Sequence, residues 1–167
     1  MMTNFAQGRA GLRRMATAML LCLGLAGCAS VLDQYTVTDS DGATGPALSY
    51  MDNARRSNGL SPAKPDDQLE AAALEQARYM AAAGEMTHTT RRGRDFVSRK
   101  KANEIKGIAA ENVAVAYGAP DVGHVMKMWM DSPPHRRNML DPRFSRFGVA
   151  SATDGDGKRY WAMVLGE

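Results

Sequence analysis

The sequence predicts an α+β domain behind an export segment. Three observations lead there: a charge-flanked apolar run confined to the first 27 residues, apolar stripes at helical spacing in the middle of the chain, and short β-prone runs after residue 110. Helices that precede and interleave with a few antiparallel strands pack as layers around one core. At 167 residues the chain holds one domain with accessories, since domains usually run to roughly 100–150 residues.

The N-terminus reads as a processing segment. Arg9, Arg13 and Arg14 precede the apolar run Ala16 to Ala26, which has the length of a signal-peptide core and is too short to span a bilayer. The run closes with Leu25-Ala26-Gly27-Cys28, which resembles the bacterial lipobox. That resemblance implies a signal over residues 1–27, diacylation of the Cys28 thiol, and Cys28 as the new N-terminus. The alternative is ordinary secretory cleavage near Ala29 or Ser30. Ala29 is not the aspartate that retains lipoproteins at an inner membrane, so the expected location is the bacterial envelope, lipid-anchored, at the outer membrane if the cell has one.

Charge and cysteine content narrow the function classes. The formal charge is +3, but the first 27 residues contain three arginines and no acid, so without them 18 basic residues face 18 acidic ones. A neutral mature chain lacks the basic footprint of a nucleic-acid binder, and that class is set aside. Cys22 and Cys28 are the only cysteines, so the folded domain has no disulfide and depends on packing. Residues 28–45 are polar and rich in Asp, Thr, Ser and Gly, and read as a tether. The domain is placed at 46–167.

Three helices follow from periodicity. Ala47, Leu48, Met51 and Ala54 share one face of a helix that stops at Asn58-Gly59. A second begins after Pro65, with Asp67 and Glu70 as a capping pair and Leu69, Ala72, Ala73, Ala77 and Met80 as its stripe, and Gly84 ends it. A third follows Pro120-Asp121 and sets Val122, Val125, Met126, Trp129 and Met130 at helical spacing until Pro133-Pro134. Trp129 reads as a packing anchor and His124, off the stripe, as a surface residue. Residues 111–117, 147–152 and 160–165 read as strands, the last two joined across Asp154-Gly155-Asp156-Gly157. That Asp-Gly repeat lacks the spaced carboxylates and closing glutamate of an EF-hand and reads as a turn.

Six blocks then suggest a family: NARRSNGLSP (53–62), MAAAGEMTH (80–88), AAENVA (109–114), WMDSPPHRRNML (129–140), FGVA (147–150) and YWAMV (160–164). In this order they resemble bacterial CAP-superfamily domains, the SCP/antigen 5/pathogenesis-related group, over roughly residues 46–167. The resemblance implies a three-layer α-β-α sandwich around a small antiparallel sheet. It also implies a central cleft lined by His88 and Glu111, with a second histidine and a second acidic residue. His135 is the candidate second histidine, although it lies in the bacterial Ser-Pro-x-His-Arg block, and the second acidic position falls near Ser132. The usual Gly-His-Tyr-Thr block is replaced around Phe144.

Two imidazoles and a carboxylate are also a zinc-ligand set, so His88, Glu111 and His135 are candidate metal ligands. Glu111 shares strand parity with Val113, Val115 and Tyr117. If that face is inward, its charge needs a partner such as a protonated histidine or a cation. Each histidine has an equally simple reading, His88 closing the loop after the second helix and His135 fixing the diproline turn.

Other signatures fail. No Gly-x-Ser-x-Gly elbow, His-Glu-x-x-His helix or phosphate loop is present, and Ser61-Pro62-Ala63-Lys64 lacks the companions a Ser-x-x-Lys enzyme needs. The run Arg91 to Lys106 is strongly basic and reads either as a solvated loop with a short helix or as a contact for anionic lipid or cell-wall polymer. Two functions remain. One is a non-enzymatic envelope module that binds a lipid, glycan or protein partner through the cleft. The other is a hydrolase in which Glu111, His88 or His135 activates water, with or without zinc.

Overall fold

The computed structural model describes residues 36–91, 94–118 and 120–167. The signal segment and Cys28 lie outside the described residues. Along the chain run β1 (Val37–Gly42), α1 (Thr44–Arg56), β2 (Lys64–Pro65), α2 (Asp67–Ala83), α3 (Phe96–Ala102), β3 (Ala109–Tyr117), α4 (Val122–Asp131), α5 (Pro133–Met139), β4 (Arg146–Asp154) and β5 (Lys158–Gly166). The sheet order is β1-β4-β5-β3, all antiparallel, with short β2 lying parallel to β4 beside Arg146 and Phe147.

Alternation along the strands divides the core in two. Phe147, Val149, Trp161, Met163, Leu165 and Ala114 pack with α1, α4 and α5. Ala150, Ala152, Tyr160, Ala162, Val164 and Val113 pack with α2. Helices on both faces of an antiparallel sheet make the α-β-α sandwich that the block resemblance implies.

The helical stripes land where periodicity puts them. Leu69, Ala72, Ala73, Ala77 and Met80 of α2 are buried, and Gly84 ends the helix in the left-handed region at φ 68°. Val125, Met126 and Trp129 of α4 are buried, and Trp129 Nε1 donates to the Val113 carbonyl at 3.2 Å, tying α4 to β3. His124 is exposed. Asp154, the last residue of β4, closes the β4–β5 hairpin turn, its Oδ1 accepting from the backbone N–H of Asp156 and of Lys158.

Four expectations are corrected. The N-cap of α2 is Asp66, not Asp67: Asp66 is extended, its Oδ1 accepts from Leu69 N at 2.9 Å, and Arg146 holds its other oxygen at 2.7 Å. Glu70 instead reaches across to accept from Thr44 N at 3.0 Å, capping α1, whose own cap residue Ala43 has no suitable side chain. Pro133 and Pro134 stop α4 as expected, but they do not form a simple turn. They start α5, because the first helical positions need no N–H donors. Finally, the fold extends upstream of residue 46: Val37–Gly42 pairs with β4, so part of the 28–45 tether is an edge strand.

Candidate functional site

The site forms along β3, an edge strand of the sheet. Glu111 and Asn112 are adjacent, so they turn to opposite faces. Glu111 joins the α2 side with Val113 and is buried with its side chain 2 % exposed. Its Oε1 lies 2.8 Å from His88 Nδ1 and its Oε2 2.5 Å from Arg99 Nη2. The cation that the buried carboxylate requires is therefore Arg99 of α3, itself 3 % exposed. Arg99 Nη1 also donates to the carbonyls of Arg94 and His88, so one guanidinium clamps both the acid and the loop that presents the imidazole. Fully buried Gln76 of α2 steadies the same loop by donating to Thr87 O at 2.5 Å. The His88 ring remains about half exposed.

Asn112 faces the other layer. Its Nδ2 donates to the backbone carbonyl of His135 at 3.1 Å, and its Oδ1 accepts from Asn138 Nδ2 at 2.8 Å. Both partners belong to α5, so this short helix is docked on β3 directly beside Glu111. Burial, together with the nearby His88 ring, pushes the His135 imidazole below its ordinary range. The two histidines thus feel each other, and His135 favours its neutral form. Ser132 is the N-cap of α5, half-buried, and its side chain makes no capping bond.

Of the candidates, the structure joins His88 to Glu111 directly and brings His135 into electrostatic range of His88. The donor set does not fit zinc. Both Glu111 oxygens are engaged, and the buried guanidinium against Oε2 repels a second cation. Among the described residues no group of three or more His, Cys, Asp or Glu side chains is placed to hold a metal ion.

The sequence reading missed Arg99, Asn112 and Asn138. Arg99 stood inside a basic run read as either solvated or as an anionic contact, and its signal was its spacing from Phe96 and Asn103 on one helical face. The rest of that run varies: Lys100 bonds the Gly107 carbonyl through Nζ, while Lys101 and Lys106 are exposed. Ser61 offers its backbone carbonyl to Arg55 Nε, and Lys64 begins β2.

A layered α-β-α domain with a His-Glu-Arg cluster on an edge strand describes the class. The family profile CAP, described as the cysteine-rich secretory protein family, matches residues 48–165, and the chain belongs to this family. It is 30% identical to the uncharacterized protein YkwD of Bacillus subtilis (strain 168) over 102 residues, which cover 60% of this chain and 39% of that one. The chain thus spans well under half the length of that relative.

Solved structures share the fold at low identity. An outer surface protein of Borrelia burgdorferi aligns at TM-score 0.65 and 18% identity, over 77% of this chain and 97% of the other. An extracellular SCP-domain protein of Bacillus anthracis str. Ames gives 0.60 and 18%, over 74% and 40%. A cysteine-rich secretory protein of Staphylococcus aureus subsp. aureus Mu50 gives 0.51 and 22%, over 72% and 38%.

Proposed function

We propose that this protein is an exported, lipid-anchored envelope module whose CAP domain binds a lipid, cell-wall or protein ligand beside His88, Glu111 and His135 without turning it over. The observation that carries the reading is the double engagement of Glu111. A carboxylate held by a buried guanidinium on one oxygen and an imidazole on the other is a poor general base, because taking up a proton breaks the pair that makes its burial tolerable. The half-exposed His88 ring and neighbouring His135 offer recognition groups instead. Anchoring rests on the Leu25 to Cys28 motif, and among the described residues no helix is long and apolar enough to cross a membrane.

One observation favours the hydrolase alternative: His135, held towards its neutral form, has the protonation state a general base needs. The test incubates the full chain, made without export, with washed envelope sacculi and membranes and follows retention and the release of new termini. Retention without release, weakened in His88→Ala, is expected. Release that disappears in Glu111→Gln or His135→Ala would make the protein a hydrolase. Stoichiometric zinc lost in both His88→Ala and Glu111→Gln would overturn the donor-set argument. For anchoring, Cys28→Ala in the producing cell should move the protein from the membrane to the soluble fraction, and unchanged retention would count against the lipid.

A further inference from the structure

The outward side of α5 lines a groove away from the His88–Glu111 cluster. Pro133, Arg136, Arg137 and Leu140 recur at i, i+3, i+4 and i+7 and share one stripe. Asn138 and Met139 turn inward instead, to Asn112 and to the core. With Asp141, Pro142 and Arg143 of the following loop, the outer stripe lines an open groove of about 620 Å³. Small-molecule sites occupy roughly 300–1,000 Å³.

The loop wall is fixed from beneath. Buried Arg55 of α1 donates to the carbonyls of Ser61 (2.8 Å), Met139 (2.9 Å), Asp141 (3.2 Å) and Phe144 (2.9 Å). On the surface of the same loop Asp141 grips Arg143: Nε lies 3.0 and 3.2 Å from its two oxygens, and Nη2 lies 2.6 Å from Oδ2. Hydrogen bonding from the Arg143 side chain holds the Asp141 carboxyl down at about 2. Its charge is therefore matched locally, leaving Arg136 and Arg137 as excess positive charge. Arg136 is positioned by its Nη1 bond to Met130 O at 3.0 Å, and Arg137 is exposed.

We propose that this groove binds an amphiphilic anion, a phosphate or carboxylate carried on an apolar body. Planar guanidinium forks match the oxygens of such a headgroup, and Pro133, Leu140 and Pro142 receive the apolar part. The groove uses none of the His88–Glu111 machinery, so its fate is separate from that of the proposed function.

The test titrates the full chain, made without export, with dodecyl phosphate below its micelle-forming concentration. A second arm uses vesicles containing phosphatidylglycerol, and octyl glucoside is the uncharged control. Backbone NMR shifts locate binding, and circular dichroism confirms that the Arg136→Gln/Arg137→Gln variant is folded. Saturable binding of dodecyl phosphate is expected, with shifts centred on residues 133–143 and affinity falling roughly tenfold in the variant and with added salt. Binding to the vesicles alone, with the same arginine dependence, would support the site and assign the anion to a membrane headgroup. Octyl glucoside binding equally well, shifts centred elsewhere, undiminished affinity in the variant, or no binding in either arm would overturn it.

Discussion

Glu111 and Arg99 place opposite charges where water scarcely reaches, and the consequence is asymmetric. A buried ion pair adds little net stability over apolar residues of the same shape, because desolvation offsets most of the attraction, but removing one partner strands the other. Arg99→Met is therefore expected to cost about 3–5 kcal/mol. The double variant Arg99→Met/Glu111→Leu should recover most of that loss, as read by urea denaturation. A loss in the double variant equal to the sum of the Arg99→Met and Glu111→Leu losses would show that the two side chains are not coupled. This pair also marks how far the sequence could be read at this scale. His88 and Glu111 were legible as chemistry-bearing residues in recognisable blocks, and Glu111's parity with Val113 implied, were that face inward, a charge in need of a protonated histidine or a cation. The identity of that cation was not legible. A run of basic residues looks solvated by count, and the spacing of Phe96, Arg99 and Asn103 on one face is too short a stripe to single out Arg99 without the tertiary packing that turns it inward. The same applies to Arg55, which follows Ala47 and Met51 on the buried face of α1 yet carries a charge satisfied by four carbonyls, one from nearby Ser61 and three from Met139, Asp141 and Phe144 at and after the end of α5.

Among the elements, α2 and β4 make the tightest junction, and Gly148 permits it. A Cβ at Gly148 would stand 2.0 Å from Glu70 N, 2.3 Å from Leu69 C and 2.5 Å from Glu70 Cα, all backbone atoms of the first turn of α2. That turn cannot yield. It is held by the Asp66 cap, by Arg146 on Asp66, and by Glu70 on Thr44 N. Gly148→Ala is therefore expected to cost about 3 kcal/mol or more, at the upper end of overpacking substitutions. A thermal melt and near-ultraviolet circular dichroism would check this, and an unchanged melting temperature would mean that α2 rides further from the sheet. The positions of α1, α2 and α4 were legible because an amphipathic stripe repeats over several turns, whereas seven-residue α5 is too short to show one. The capping detail was not, since Asp66 and Asp67 are adjacent and chemically equal candidates. The choice fell to Arg146, eighty residues away.

Across the whole molecule, the sheet joins two helical layers, and its two edges behave differently. β3 carries the His-Glu-Arg cluster on one edge, while β1 covers β4 on the other. β1 escaped the sequence reading because VTDSDG has no alternating apolar pattern, which is how a protected edge strand looks: charged, short and nowhere fully buried. It is nonetheless tied into the fold. It pairs with β4 from Val37↔Asp154 to Gly42↔Ala150, Ser40 Oγ accepts from Arg78 Nε of α2 at 2.9 Å, and Asp39 accepts from Arg159 of β5 at 2.7 Å.

An internal deletion of residues 37–42 keeps everything upstream and the α1 junction at Thr44, yet leaves β4 bare from Ala150 to Asp154, with only Arg146 and Phe147 still covered by β2. With a net contribution of about 0.5–1.5 kcal/mol per hydrogen bond, the deletion should cost roughly 2–4 kcal/mol. It should also introduce concentration-dependent self-association, because an uncovered edge offers its N–H and C=O groups to a second chain. Urea denaturation and analytical ultracentrifugation of the deleted and intact chains measure the two effects separately. Lost stability with a monomer would mean that β1 supports the fold without guarding an edge. Unchanged stability and a monomeric deletion variant would return residues 37–42 to the tether, and the folded unit would then begin at α1.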